Sequence, residues 1–186
     1  MTRGFVPPVA EGLALRLRPV QPEDASYIHA LRVNPAYNRH LSPVTGTVAD
    51  QRAWIERYQV REAAGQEIYY IIERRDTGQS CGTVRLYDIK TDRFTWGSWI
   101  LDETKPPKAA LESAVLSFGV GFDDLGCDLA CVDVRLDNAH AEAFYRRLGM
   151  TETNRTPHDI YFIYPRTLFD MNRDRYLTIL AQESEA

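Results

Sequence analysis

Strand and helix signals alternate through the second half of the chain, and their order restricts the fold more than any other feature. A β-branched and aromatic run over 93–101 gives way to apolar residues at helical spacing: Leu111, Ala114, Val115, Phe118 and Phe122. A compact strand signal over 129–135 follows. Next comes a short helix signal with Ala141, Phe144, Tyr145 and Leu148 on one face and Gly149 as its stop. Ile160, Phe162 and Tyr164 then alternate along a last strand, and a terminal helix is expected from Thr167 onward, carrying Phe169, Tyr176 and Leu180. Parallel neighbours need a crossover of roughly a dozen residues, usually a helix, so this succession predicts parallel pairing in this half.

The first half reads differently. Leu13, Leu15 and Leu17 alternate with Ala14, Arg16 and Arg18, the period of a strand with one buried face, and Pro19 ends it. Pro22-Glu23-Asp24 suits a first helical turn ahead of Ala25, Ile28 and Leu31. A polar loop over 39–46 leads to a capping signal at Thr47 and a second helix with Trp54, Ile55 and Tyr58. Runs at 67–75, 79–90 and 93–101, parted by Asp76-Thr77-Gly78 and Thr91-Asp92, predict an antiparallel meander. Together these predict a mixed, mostly antiparallel α/β sheet of about seven strands with helices on both faces. Residues 1–12, with Pro7, Pro8 and no periodicity, read as a loose leader, 13–181 as one domain and 182–186 as a tail.

The 186 residues suffice for one core without covalent staples. Lysine and arginine number 22 against 26 acids, a net charge of -4, which gives no global field for nucleic acid or an anionic membrane. Cys81, Cys127 and Cys131 lack the paired spacing of a zinc site, so no metal is expected and the thiols read as buried. No apolar stretch has the length of a membrane span, and a cytoplasmic protein is the expectation.

Within 134–150, Asn138 stands at a helix start and Tyr145 two turns later on the same side, ahead of Leu148-Gly149. This segment resembles the GCN5-related N-acetyltransferase (GNAT) superfamily, where an Asn at the helix start and a Phe-Tyr-x-x-Leu-Gly ending recur after a strand. The likeness extends to Leu-Arg-Leu-Arg-Pro-Val near the start, to Gly97-Ser98-Trp99-Ile100 and to the helix after it, and looks nearest to the branch acting on ribosomal-protein N-termini and amino sugars. It implies acetyl transfer from acetyl-CoA, as co-substrate, to a primary amine by direct attack, with the cofactor lying where the fourth and fifth strands splay beside Ile100 and Leu101. Tyr145 would give a proton to the departing thiolate, and Asn138 would contact the cofactor. A phenol is protonated at neutral pH, and such an acid step is worth about 10²–10⁴-fold.

The resemblance also implies a pyrophosphate-gripping turn before the long helix, patterned Arg/Gln-x-x-Gly-x-Gly/Ala. This chain has Lys105-Pro106-Pro107-Lys108-Ala109-Ala110 instead. Both prolines lack an N–H, so the expectation rests on Pro107 in the first helical turn, the N–H groups of Lys108, Ala109 and Ala110, and the Lys105 and Lys108 ammonium groups. Arg39 and His40, in the loop between the early helices, and Tyr69 and Arg85, on central strands, are the candidate substrate contacts. His40, Glu103 and His158 are the candidate bases. A small-molecule amine acceptor is the primary expectation, with a homodimer as the assembly considered. A non-catalytic acyl-CoA- or protein-binding module and a protein N-terminal acetyltransferase are the alternatives.

Overall fold

The computed structural model describes residues 4–183. Its sheet has eight strands: β1 (Ala10–Glu11), β2 (Leu15–Pro19), β3 (Ile68–Arg74), β4 (Ser80–Tyr87), β5 (Arg93–Leu101), β6 (Leu129–Arg135), β7 (Thr151–Arg155) and β8 (Asp159–Pro165). Their spatial order is β1-β2-β3-β4-β5-β6-β8-β7. Every adjacent pair is antiparallel except β5–β6. The expected second crossover passes over a neighbour, because β8 inserts between β6 and β7 and pairs with both.

β3 shows why two helical layers form. Its first six residues are all buried, with Ile68, Tyr70 and Ile72 on one face and Tyr69 and Ile71 on the other. The first face joins the large core, beneath α4 (Ala109–Gly119), α5 (Ala139–Leu148) and α6 (Arg166–Ala181). The second face packs with Val20, Ile28, Ile55 and Tyr58, from the β2 end, α1 (Ala25–Val33) and α3 (Val48–Ala63). A strand covered on both sides reads as a continuous apolar run for this reason. The short α2 (Pro35–Asn38), capped by Asn34 Oδ1 on Ala36 N–H at 2.9 Å, breaks the loop between α1 and α3.

Three details differ from expectation. Leu13 is 62% exposed and precedes the strand, whose buried face is Leu15 and Leu17. Residues 4–12, expected to be loose, are held. Ala10–Glu11 pairs with β2, Phe5 N–H donates to Ala63 O at 2.9 Å, and Tyr70 Oη donates to Pro8 O at 2.7 Å. The buried Glu112 carboxylate on α4 accepts from the N–H groups of Leu13 and Ala14, tying this edge to the helical layer. Finally, the long helix, expected to have Pro107 in its first turn, begins only at Ala109 and ends in a π-turn over Val120–Asp124. Residues 1–3 of the leader and 184–186 of the tail lie outside the described residues. Cys81 and Cys127 are buried, and Cys131 only half so.

Candidate active site

The site begins where two parallel strands part. β5 and β6 pair only at Arg93–Leu129, Phe94–Ala130 and Thr95–Cys131, although β5 continues to Leu101 and β6 to Arg135. On its other side β5 shifts register against β4 between Thr83 and Arg85. Ser98 there takes a positive φ of 48°, and its carbonyl accepts from Thr83 Oγ1 at 3.2 Å. Bulges re-aim backbone and side chains, and they cluster beside active sites. A cavity of about 270 Å³ opens in this divergence, with Ser98, Trp99, Asp133, Asn138 and Tyr145 on its walls.

Tyr145 reaches this cavity because α5 turns its apolar face to the sheet. The residue is 6% exposed and packs edge-on to Trp96 at 5.9 Å and to Phe162 at 6.0 Å. Burial, with the charge of Asp133 and the neighbouring Tyr87 adding to it, pushes its phenol further up, so it stays protonated across the physiological range. Trp96 and Trp99 are fixed from behind, their indole N–H groups donating to Ser117 Oγ at 2.8 Å and Ser113 Oγ at 3.1 Å. Trp99 nonetheless lines the cavity, while Trp96 is core.

Asn138 caps α5, its Oδ1 accepting from Ala141 N–H at 3.2 Å, and Gly149 ends the helix at a φ of 92°. The cap uses the amide oxygen and leaves the side-chain NH2 for a ligand in the cavity.

Asp133 was not anticipated. It sits on the polar side of β6, between buried Val132 and Val134. Desolvation and then Asp159 raise its carboxyl above the usual range, while Arg135 pulls it down. The period-2 alternation of β6 was the signal that placed it on the side opposite Val132 and Val134, but the sequence could not show that it shares a cavity with Tyr145.

The turn ahead of α4 is rebuilt rather than lost. Pro106 O accepts from Ala109 N–H at 3.3 Å, closing a β-turn with Pro107 second and Lys108 third. Lys108 has a φ of 62°, the left-handed value that a type II turn requires and that glycine normally supplies. Pro107 therefore lies outside the helix, and the Ala109 N–H is spent on the turn. The N–H groups of Lys108, Ala110 and Leu111 have no partner among the described residues, and no side chain caps this end. The Lys108 ammonium points elsewhere, donating to Ile179 O at 2.9 Å and to Gln182 O at the end of α6. Lys105 is exposed. Asp102 braces the approach, accepting from Tyr27 Oη at 2.7 Å and from Thr104 N–H at 2.8 Å. Ile100 and Leu101, paired with Thr83 and Gly82, lead from the cavity toward this turn without lining the cavity.

The expected substrate residues divide. His40 borders the Tyr145 cavity, its Nδ1 3.1 Å from Asp137 Oδ1. Tyr69 and Arg85 line a second cavity of about 610 Å³ that shares Arg32, Ser42, Tyr87 and Ser98 with the first. Arg39 lines a third hollow with Asp137 and His158, which shares Leu41 and Arg135 with the first cavity and Pro43 with the second. Glu103 is exposed, outside both cavities, with its backbone N–H held by Tyr37 Oη at 3.1 Å.

Similarity to known proteins converges on the same reading. Residues 14–151 match the family model of the acetyltransferase (GNAT) domain. A structure of apo FdhC, a nucleotide-linked sugar GNAT, shares 36% identity with a TM-score of 0.85, covering 92% of this chain and 97% of its own. A spermidine N-acetyltransferase from Vibrio cholerae, in complex with CoA and spermine, has the same fold at 17% identity and a TM-score of 0.71, covering 84% and 98%. A GCN5-related N-acetyltransferase from Brucella melitensis aligns at 16% identity and a TM-score of 0.78, over 99% and 91%. No curated protein sequence is recognisably similar to the chain. The parted strands, the uncapped start of α4 and the match over 14–151 together place this chain in the GNAT family of acetyl-CoA-dependent N-acetyltransferases.

Proposed function

We propose that the protein transfers an acetyl group from acetyl-CoA to the primary amine of an amino sugar by direct attack. The observation that carries this reading is the placement of Tyr145 and Asp133 on the walls of one cavity, at the point where β5 and β6 separate. Acetyl-CoA supplies the acetyl group and departs as a thiol. The free N–H groups at the start of α4 suit its pyrophosphate, since aligned backbone donors and the helix dipole both favour an anion there.

Tyr145 holds its proton firmly and delivers it to sulfur as the C–S bond breaks. Asp133 takes the proton that the amine loses as the C–N bond forms. A carboxyl raised from its ordinary value is a better proton acceptor than an unperturbed one. Trp99 and Asn138 line the same cavity.

An amino sugar is the acceptor best supported. FdhC, at 36% identity over nearly the whole chain, acts as a nucleotide-linked sugar GNAT. The polyamine enzyme, at 17%, supports the fold alone. Steady-state acetylation of a panel of amino sugars, amino-sugar nucleotides, polyamines and N-terminal peptides tests the reading: turnover of sugars above the others supports it, and preference for peptide N-termini overturns it.

A further inference from the structure

The second cavity gathers two arginines that form no ion pair among the described residues. Elsewhere the arginines are largely neutralised by carboxylates, as in Arg16–Glu73 at 2.8 Å, Arg18–Asp24 at 2.8 Å, Arg61–Glu67 at 3.0 Å and Arg74–Asp76 at 2.8 Å. On this cavity wall Arg85 is likewise bound to Glu67 at 2.7 Å, beneath the rings of Trp54 and Tyr87. Arg32 and Arg57 form no ion pair within 4 Å among the described residues, and both line the cavity, where Arg57 lies near enough to Asp50 to help the Thr47 hydrogen bonds lower its carboxyl. Asp50 stands on the same wall, but one oxygen is committed to Thr47, accepting its N–H at 2.7 Å and its hydroxyl at 3.1 Å.

Two buried polar atoms at the cavity have no hydrogen-bond partner among the described residues. Tyr69 is 1% exposed, and its hydroxyl has no hydrogen-bond partner among the described residues although the residue lines the cavity. Arg32 Nε is also buried without a partner, while its Nη2 donates to Ser42 O at 3.1 Å. Buried donors left unpaired are costly, and natural sites keep them where a ligand satisfies them.

From this we infer that the larger cavity is an anion subsite that seats a phosphate or diphosphate carried by the acceptor, held by Arg32, Arg57 and the Tyr69 hydroxyl. This rests on the acceptor reading above and deepens it. The two cavities share Arg32, Ser42, Tyr87 and Ser98, so an acceptor anchored by its anion in the larger one extends its amine toward Asp133 and Tyr145 in the smaller. Guanidinium groups bind phosphate oxygens with paired donors, and the same charge repels a polyamine.

Calorimetric titration of uridine diphosphate and of inorganic pyrophosphate into the full chain, saturated with CoA, tests the subsite without requiring turnover. We expect binding of one or both, weakened about tenfold or more by Arg57→Ala and by Arg32→Gln, because each removes a charge-assisted contact. Arg57 is exposed, so its variant is expected to fold. Uridine diphosphate binding without pyrophosphate binding assigns part of the affinity to the nucleoside; equal binding assigns it to the phosphates. No binding at millimolar probe, equal binding by wild type and both variants, or loss of binding when CoA is present overturns the subsite. Probe binding that responds to both variants, with no amino sugar acetylated, would leave the subsite standing and remove the acceptor reading. Acetylation of an uncharged amino sugar without probe binding would do the reverse.

Discussion

The starts of α4 and α5 are built in opposite ways. At α5 the side chain of Asn138 satisfies a first-turn donor, and the helix is closed to further ligands at that atom. At α4 the capping position is Lys108 in a left-handed conformation, with no side-chain cap and its ammonium sent to the end of α6. One helix start is arranged for its own stability and the other for an anion. The difference teaches that the prolines do not remove the phosphate grip. They stiffen a type II turn that leaves the Lys108, Ala110 and Leu111 N–H groups open, where the family pattern uses glycine.

Several variants would break or sharpen that contrast. Tyr145→Phe removes the proton donor and keeps the packing, so turnover should fall by about 10²–10⁴-fold. CoA affinity measured by calorimetry should stay unchanged, because the α4 donors are intact. Asp133→Asn should lower turnover by about a hundredfold. It should also flatten the acid side of the pH profile. The wild-type carboxyl accepts a proton only above its raised pKa, so wild-type kcat/KM should fall as pH drops through it and the variant's should not.

Smaller effects belong to the helix starts themselves. Asn138→Ala removes a cap and should lower stability by about 1 kcal/mol in denaturant unfolding. Lys108→Gly keeps every backbone donor and relieves a left-handed cost of about 1 kcal/mol, while losing the contact to α6. Its CoA affinity should stay within about twofold of wild type, whereas a phosphate-bound ammonium would cost about tenfold.

What was legible in the sequence was local. The alternation in β8, the stripe of α4 and the seven-residue separation of Asn138 and Tyr145 all lie within a single element, where one period decides the outcome. The two-residue β1 has too little length for any period, and Leu13 continued an alternation that the chain abandons before β2. Asp133 and Arg32 are 101 positions apart and share a cavity only because the sheet brings β6 beside the α1 end, so no local pattern joins them. Lys108 misled for a different reason. Its residue type suggests a phosphate ligand, but its side chain follows a backbone turn that only the folded chain displays.

The proposed chemistry depends most on acetyl-CoA being seated between β5 and β6 with its pyrophosphate on the α4 donors. Titration of acetyl-CoA into the wild-type chain, followed by amide exchange at Lys108, Ala110 and Leu111, tests this directly. Binding at micromolar concentration with protection of these three amides is the predicted result. No binding at millimolar acetyl-CoA, or binding that leaves all three amides unprotected, would contradict it.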